Sequence, residues 1–433
     1  MNAEGASRAD LARDYRDHLE HVVLPFWLDR TLDRERGGIF TCIDEETGER
    51  ASTDKFVWSQ ARWAWTAAHA ARMADRGALR LDAAPLRDHA RRTADFLLEH
   101  AFLEDGSVAY LLAEDGTKKE FLPGKGHDLS FFADGFVILG LAGVARASGE
   151  ASYLDAALRT YDRLRDRLAR GAVRSEPYPL PPGHRAHAWP MILLNVAQEL
   201  ERAAAQFRHA REAALAADGL ADMDAVLDGF VRDDGLVQEV AREGEPLGAG
   251  STLLTRHVTP GHAIESMWFV LEQALRHDRH DAVRTASRVI RASFEAGWDP
   301  EHGGLFRYVV PGPDGPEPQG PADGPFERLI VDTWDTKIWW PHSETLYAAA
   351  LAAEATGEAA FREIHDRTHA YAFATFPHPD RSVGEWIQIR DRSGAPLSKV
   401  VGLPVKDPYH LTRNLLLLIE LWHEGIERRT VAS

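Results

Sequence analysis

Twelve stretches of helical periodicity, alternately wet and dry, constrain the fold of this chain more than any other feature. They cover 8–29, 54–76, 84–101, 130–148, 151–170, 187–201, 206–229, 260–277, 280–296, 339–356, 359–375 and 407–427. The third (Arg87-Asp88-His89-Ala90-Arg91-Arg92) and the fifth (Arg163-Leu164-Arg165-Asp166-Arg167) carry strongly charged faces, whereas the fourth (Phe131 to Gly140) and the sixth (Trp189 to Leu194) are apolar on most sides. A helix apolar all round has to be enclosed, and a charged one belongs outside. Helical hairpins closed into a ring satisfy both demands, with six inner helices surrounded by six outer ones. Strand-like stretches are short and confined to connections, so the class is all-α with short β-hairpins in the rim loops and one domain over 1–433.

Repetition supports the ring. Asp33-Arg34-Glu35-Arg36-Gly37-Gly38-Ile39-Phe40 returns as Asp299-Pro300-Glu301-His302-Gly303-Gly304-Leu305-Phe306, each after one helix and before another. Asp105-Gly106-Ser107-Val108 and Asp234-Gly235-Leu236-Val237 are further turn-then-strand pieces, and all such loops are expected at one rim. Pro311 to Pro325, with six prolines and four glycines, reads as an exposed loop.

Charge and cysteine content exclude several function classes. Fifty basic against 67 acidic residues leave a net charge of −17, which argues against nucleic acid or an anionic membrane as a partner. Cys42 stands alone, so neither an internal disulfide nor a cysteine metal cluster is available, in keeping with a reducing cytoplasm. The start, Met1 to Gly5, lacks a basic region followed by an apolar run, and the runs Val137–Ala145 and Leu415–Ile419 are too short to span a bilayer. Gly124-Lys125-Gly126 lacks the spacing of a phosphate loop, and no Gly-x-Ser-x-Gly elbow occurs.

The chemistry concentrates on the even-numbered helices, which in a ring of hairpins all run the same way. Thr259-Pro260-Gly261-His262 and Asp407-Pro408-Tyr409-His410 share one pattern of cap, proline, one residue and histidine. His262 and His410 are therefore expected at the starts of two inner helices, facing one cavity. The positive end of the dipole is expected to keep the His262 ring neutral. Two such rings suit proton removal from carbon next to a carbonyl, one as base and the other as acid. Arg62, between Trp58 and Trp65, is the candidate partner of the developing oxyanion. Glu265, three residues after His262, is expected to steer an imidazole or accept from a substrate hydroxyl.

Rim tryptophans Trp334, Trp339, Trp340 and Trp386 suit the apolar C–H faces of a sugar, with Trp340 and Trp386 as the expected contacts. His365 and His369 have the helical spacing of a zinc pair but no glutamate after the first histidine, and His262 with Glu265 lacks further clustered ligands, so no metal site is expected. A two-carboxylate hydrolase built on Asp134 and Glu344 is a competing class. A non-enzymatic interaction protein is another.

Gly37-Gly38-Ile39-Phe40, Trp58 to Arg62, Ser130 to Asp134, Pro190-Met191-Ile192-Leu193-Leu194-Asn195, Arg256 to Glu265, Lys337 to Glu344 and Tyr409 to Arg413, taken in this order, resemble the N-acylglucosamine 2-epimerase family over nearly the whole length. The resemblance implies an (α/α)6 barrel and reversible chemistry at C2 of a reducing sugar through a cis-enediol or enediolate. It implies His262 and His410 as the acid/base pair, with Arg62 and Glu265 at the substrate. Members acting on free sugars or disaccharides carry an extra histidine in the sixth helix, where Ile192 stands here; this points to the N-acyl branch, with His187, one turn earlier, as a substitute that keeps a cellobiose-type epimerase or an aldose–ketose isomerase of the mannose type open. No cofactor is implied. Nucleotide activation occurs in some members, and no feature here predicts it. A homodimer is the assembly the resemblance implies.

Overall fold

The computed structural model describes residues 7–312, 315–399 and 404–423. The expectations for Met1–Gly5, for part of the Pro311–Pro325 loop and for 424–427 of the last helix lie outside these residues.

All twelve expected helices are present, and they alternate between two concentric rings. The outer helices are α1 (Arg8–His18, a π-helical turn Leu19–Val23 and Leu24–Arg30 in succession), α3 (Ala83–His100), α5 (Ala151–Ala169), α7 (Glu212–Phe230), α10 (His280–Gly297) and α13 (Ala359–Thr375). The inner helices are α2 (Val57–Asp75), α4 (Phe131–Ser148), α6 (Ala188–Phe207), α9 (Pro260–Arg276), α12 (Trp339–Thr356) and α14 (His410–His423). Each inner helix packs on the next, and α14 returns to α2, which closes the barrel. The outer helix α10 shows why the pattern sorts this way: Val283, Ala286, Val289, Ile290, Ser293 and Phe294 form one buried stripe and the charged residues face out. In contrast, α4 is buried on every side from Phe136 to Ala145, so an eighteen-residue helix apolar enough to cross a membrane is enclosed by its neighbours here.

Two short helices fall outside the twelve. Leu253–Arg256 is α8 and Pro325–Thr333 is α11, the latter starting where the sequence reads as the end of an exposed loop. Pro325 occupies its first turn, where the missing N–H costs nothing, and Ile330 and Thr333 anchor it.

The rim loops repeat one construction. In the first, Gly37 N–H donates to the Asp33 carbonyl at 3.0 Å; in its copy, Gly303 N–H donates to the Asp299 carbonyl at 2.9 Å. Gly37, Gly38, Gly303 and Gly304 all have φ between 70° and 89°, a region that disfavours any other residue, which is why the glycine pair recurs. A buried lysine ties each loop to the inner helix that follows. Lys55 Nζ lies 2.7 Å from Asp33 and Lys337 Nζ lies 3.1 Å from Asp299, each over the phenylalanine of its own loop, Phe40 or Phe306. Five residues beyond each lysine, Gln60 and His342 each hold the backbone N–H after the second glycine, at 2.7 and 2.9 Å. Lys406, just before α14, pairs with Glu385 at 2.6 Å in the same way. Two- and three-residue strands complete the rim: β1 (Lys55–Phe56), β2 (Leu111–Leu112) and β3 (Lys118–Lys119) form one sheet, β4 (His184–Ala186) pairs with β5 (Val240–Arg242), and β6 (Lys337–Ile338) pairs with β7 (Ile389–Arg390).

The zinc-like pair is occupied by a tyrosine. His365 Nε2 and His369 Nδ1 both meet the Tyr15 hydroxyl, at 2.9 and 2.7 Å, which joins α1 to α13; both rings are buried rather than part of a charged outer face.

The lysine clamps make a stability prediction. Lys55→Met leaves the buried Asp33 without its cation and should cost about 3–5 kcal/mol in denaturant unfolding, whereas Lys337→Met leaves Asp299 still paired with Arg392 at 2.9 Å and should cost less. A loss under about 1 kcal/mol for Lys55→Met would mean that the clamp does not hold the rim.

Candidate active site

The starts of all six inner helices converge on a cavity of about 380 Å³. Below it the barrel axis is filled by a polar network from several inner helices: Trp65 donates to Glu199 at 2.9 Å, Arg202 pairs with Glu199 at 2.5 Å and with Glu272, and the Tyr347 hydroxyl donates to Glu272 at 2.6 Å.

His262 and His410 both line the cavity and share Trp340 as a neighbour, its ring centroid lying 5.1 Å from His262 and 5.6 Å from His410. The local reasons match the sequence pattern. Pro260 opens α9. The Asp407 carboxylate accepts from His410 N–H at 2.7 Å and from Tyr409 N–H at 3.2 Å, capping α14. Thr259 stands at the cap position of α9, but its hydroxyl makes no capping bond and faces the cavity unpartnered.

Each imidazole is held from behind by a glutamate. His262 Nδ1 lies 3.0 Å from Glu239 Oε1, and His410 Nδ1 lies 2.7 Å from Glu344 Oε1. A carboxylate only accepts, so Nδ1 carries the proton in both rings and Nε2 is left as the free nitrogen. The expectation that the helix dipole keeps His262 neutral is overturned. Burial disfavours the imidazolium, but the Glu239 carboxylate outweighs it and raises the pKa of His262 above its ordinary value. Glu239 is itself held well below the usual carboxylate range: burial works against its charge, and His262 and His187 overcome that.

Glu344 is the hub on the other side. Its Oε1 accepts from His410, from Arg413 at 2.6 Å and from Asn414 at 2.7 Å, and its Oε2 accepts from Trp268 at 2.7 Å. Burial opposes its charge, and Arg413 and His410 prevail, so it stays ionised. Glu265 lines the cavity, but its expected part in steering His262 falls to Glu239; Glu265 accepts from Arg413 at 2.6 Å instead. The Arg413 guanidinium thus occupies the space between Glu265 and Glu344, where a cation would otherwise sit. Arg62 lines the cavity as expected, 3.1 Å from Asp407 and with its guanidinium 4.0 Å over the Phe136 ring.

Two expected substrate contacts are elsewhere. Trp386 is fully buried, stacked 5.5 Å from Phe376, and its Nε1 donates to His18 at 2.9 Å, so it fills the wall between α1 and α13. His187 is also fully buried; its ring turns away from the cavity, packing against Phe230 and lying 3.8 Å from Glu239. It backs the carboxylate that holds His262 and does not replace the histidine missing at Ile192, which does line the cavity. Among the rim tryptophans, Trp339 and Trp340 face the cavity, whereas Trp334 stacks on Phe306. The two carboxylates considered for hydrolysis do not line it either: Asp134 pairs with Arg167 at 3.1 Å, and burial, against Arg167, raises its pKa to about 7, while Glu344 is saturated as described.

Glu239 escapes a reading of the sequence because it sits in the rim loop just before β5, in Leu236-Val237-Gln238-Glu239-Val240, whose only signal is one carboxylate in a mostly apolar run. The pairing of β4 with β5 carries it beneath His262, and His187 N–H donates to its backbone carbonyl at 2.9 Å.

Glu239→Gln should lower kcat by at least about 10-fold and move the acidic limb of the pH–rate profile to lower pH, because an imidazolium without its carboxylate loses its proton more readily. An acidic limb that stays in place would show that His262 is not the group titrating there.

The family model for N-acylglucosamine 2-epimerase matches residues 38–413. The N-acylglucosamine 2-epimerase of Bos taurus is 29% identical over 424 residues, covering 95% of this chain and 91% of that protein. Among solved structures, the cellobiose 2-epimerase of Spirochaeta thermophila superposes with a TM-score of 0.74 at 19% identity, covering 97% of this chain and 98% of that one. A D-mannose isomerase superposes at 0.72 and 17% identity, covering 94% and 97%. Those two likenesses establish the fold, an (α/α)6 barrel. With the family model matched over most of its length, this chain belongs to the N-acylglucosamine 2-epimerase family.

Proposed function

We propose that this protein is a sugar 2-epimerase that interconverts N-acylglucosamine- and N-acylmannosamine-type reducing sugars. One observation carries the reading: two imidazoles, each anchored through Nδ1 on a buried glutamate, border a single cavity. The similarity to the bovine N-acylglucosamine 2-epimerase supports the N-acylated substrate, as does the apolar Ile192 in the cavity wall.

The open-chain aldehyde is the reacting form. The Nε2 of one histidine takes the proton from C2, and the electron pair of that C–H bond moves into C1–C2 as the carbonyl oxygen takes up the charge. The product is an enediolate for a 2-hydroxy sugar and a 2-amido enolate for an N-acylated one. Arg62 is the cation placed to meet the oxyanion. The protonated histidine on the opposite face then returns a proton to C2, which inverts the centre. Substrate and product are isomers and no electrons are exchanged, so the stoichiometry calls for no redox cofactor. The Trp340 ring, a neighbour of both histidines on the cavity wall, offers an apolar surface to the sugar's C–H groups.

Turnover of N-acetylmannosamine in deuterated water tests this reading. The expected product is N-acetylglucosamine labelled at C2, with His262→Asn and His410→Asn each slower by about 10²–10⁴-fold or more. A ketose labelled at C1 would make the enzyme an aldose–ketose isomerase, and undiminished turnover in both variants would remove the histidines from the chemistry.

A further inference from the structure

Asn195 is a polar side chain of the cavity wall with no hydrogen bond within the described residues. Asn195 lies two turns into α6, lines the cavity and is only 4% exposed. Its carboxamide forms no hydrogen bond with any described residue. An amide that lines a cavity and has no partner in the chain keeps its N–H donors and its carbonyl available to a ligand. Polar side chains nearby are each held by at least one bond within the chain. Three residues on, Gln198 donates to the Phe269 carbonyl at 2.7 Å; across the floor, Asn414 donates to Glu344 and to Ser343, and Arg413 bridges Glu344 and Glu265. The same cavity is lined by the apolar side chains of Ile192, one turn earlier on α6, of Phe136 of α4 and of Phe269 of α9.

An amide donor set among apolar walls matches an N-acyl group better than a sugar hydroxyl. A hydroxyl needs polar company on both sides, whereas an acyl group presents one carbonyl acceptor and an alkyl end that gains from dry surroundings. We propose that Asn195 is the specificity-determining residue for the 2-N-acyl substituent: its Nδ2–H donates to the acyl carbonyl oxygen, and the acyl methyl packs against Ile192, Phe136 and Phe269. This rests on the reading of the protein as a sugar 2-epimerase, but it concerns binding and is tested apart from turnover.

The probes are two open-chain sugar alcohols, N-acetylglucosaminitol and glucitol, measured by calorimetry against the wild-type protein, Asn195→Leu and Asn195→Ala. Wild type should bind the N-acetylated alcohol more tightly. Both variants should weaken it by about 10–100-fold while glucitol stays within about twofold, because only the N-acetylated alcohol leaves a buried carbonyl unpaired. Equal losses for the two alcohols would assign Asn195 to the architecture of the floor and overturn the proposal. Wild-type protein that does not distinguish the alcohols would overturn it as well, whether or not either variant folds. Epimerisation assays separate the two levels: wild-type protein that prefers the N-acetylated alcohol yet fails to invert N-acetylmannosamine would sink the proposed reaction and leave the acyl-binding role standing.

Discussion

A helix that is apolar on every face has to be surrounded, and α4 is such a helix from Phe136 to Ala145. That requirement alone makes an inner ring, and short connections between successive helices make the ring one of hairpins. The consequence for function is directional. Every inner helix follows an outer one, so all six enter the barrel from the same end, and their first turns deliver side chains to one place. Arg62, His262 and His410 are brought together by this parity although the last two are separated by more than a hundred residues. The lysine clamps at Lys55, Lys337 and Lys406 sit immediately before inner helices and hold the loops that feed them.

Within that frame, magnitudes decide the state of His262. A helix dipole shifts a first-turn charge by about 0.3–1 kcal/mol. A full carboxylate within hydrogen-bonding distance is a far larger influence, about 4 kcal/mol for unit charges roughly 4 Å apart near a protein surface. Glu239 at 3.0 Å therefore overrides the dipole, and the ring becomes a better proton acceptor, not a permanently neutral one. The carboxylate also fixes which nitrogen is free, which the dipole does not do.

The periodic parts of the molecule were legible in the sequence, and the directions of individual side chains were not. All twelve barrel helices follow from period and polarity because burial of a whole face is a sum over many residues and survives errors in any one. His262, His410 and Arg62 were legible for a related reason: each sits in the first turns of a helix whose polarity the ring dictates. Trp386 and His187 show where that logic stops. Aromatic composition near a rim does not say whether a ring faces the cavity or the wall, and Trp386 is turned into the wall by its bond to His18. Glu239 lies in a rim loop without periodicity, so only the pairing of β4 with β5 reveals its target. Arg413 and Asn195 stood inside recognisable stretches, yet their roles depend on which neighbours are already saturated, a property of three dimensions.

The matched glutamates follow from the reversibility of the proposed reaction. The two epimers differ at one carbon and both directions run through the same enolate. Microscopic reversibility then requires the histidine that is base in one direction to be acid in the other. Each ring must be stable both neutral and protonated, and a lone imidazole in a buried wall is not, because burial penalises its cation. On the His262 side Glu239 and Glu265 act for the cation and Arg307 acts against it, which leaves one negative charge. On the His410 side Glu344 and Glu265 supply two and Arg413 cancels one, which again leaves a single negative charge facing the ring. Two sets of residues that share Glu265 thus arrive at the same local charge balance. A transfer that used a single histidine as both base and acid would need such a balance at that ring alone; this barrel has it at both.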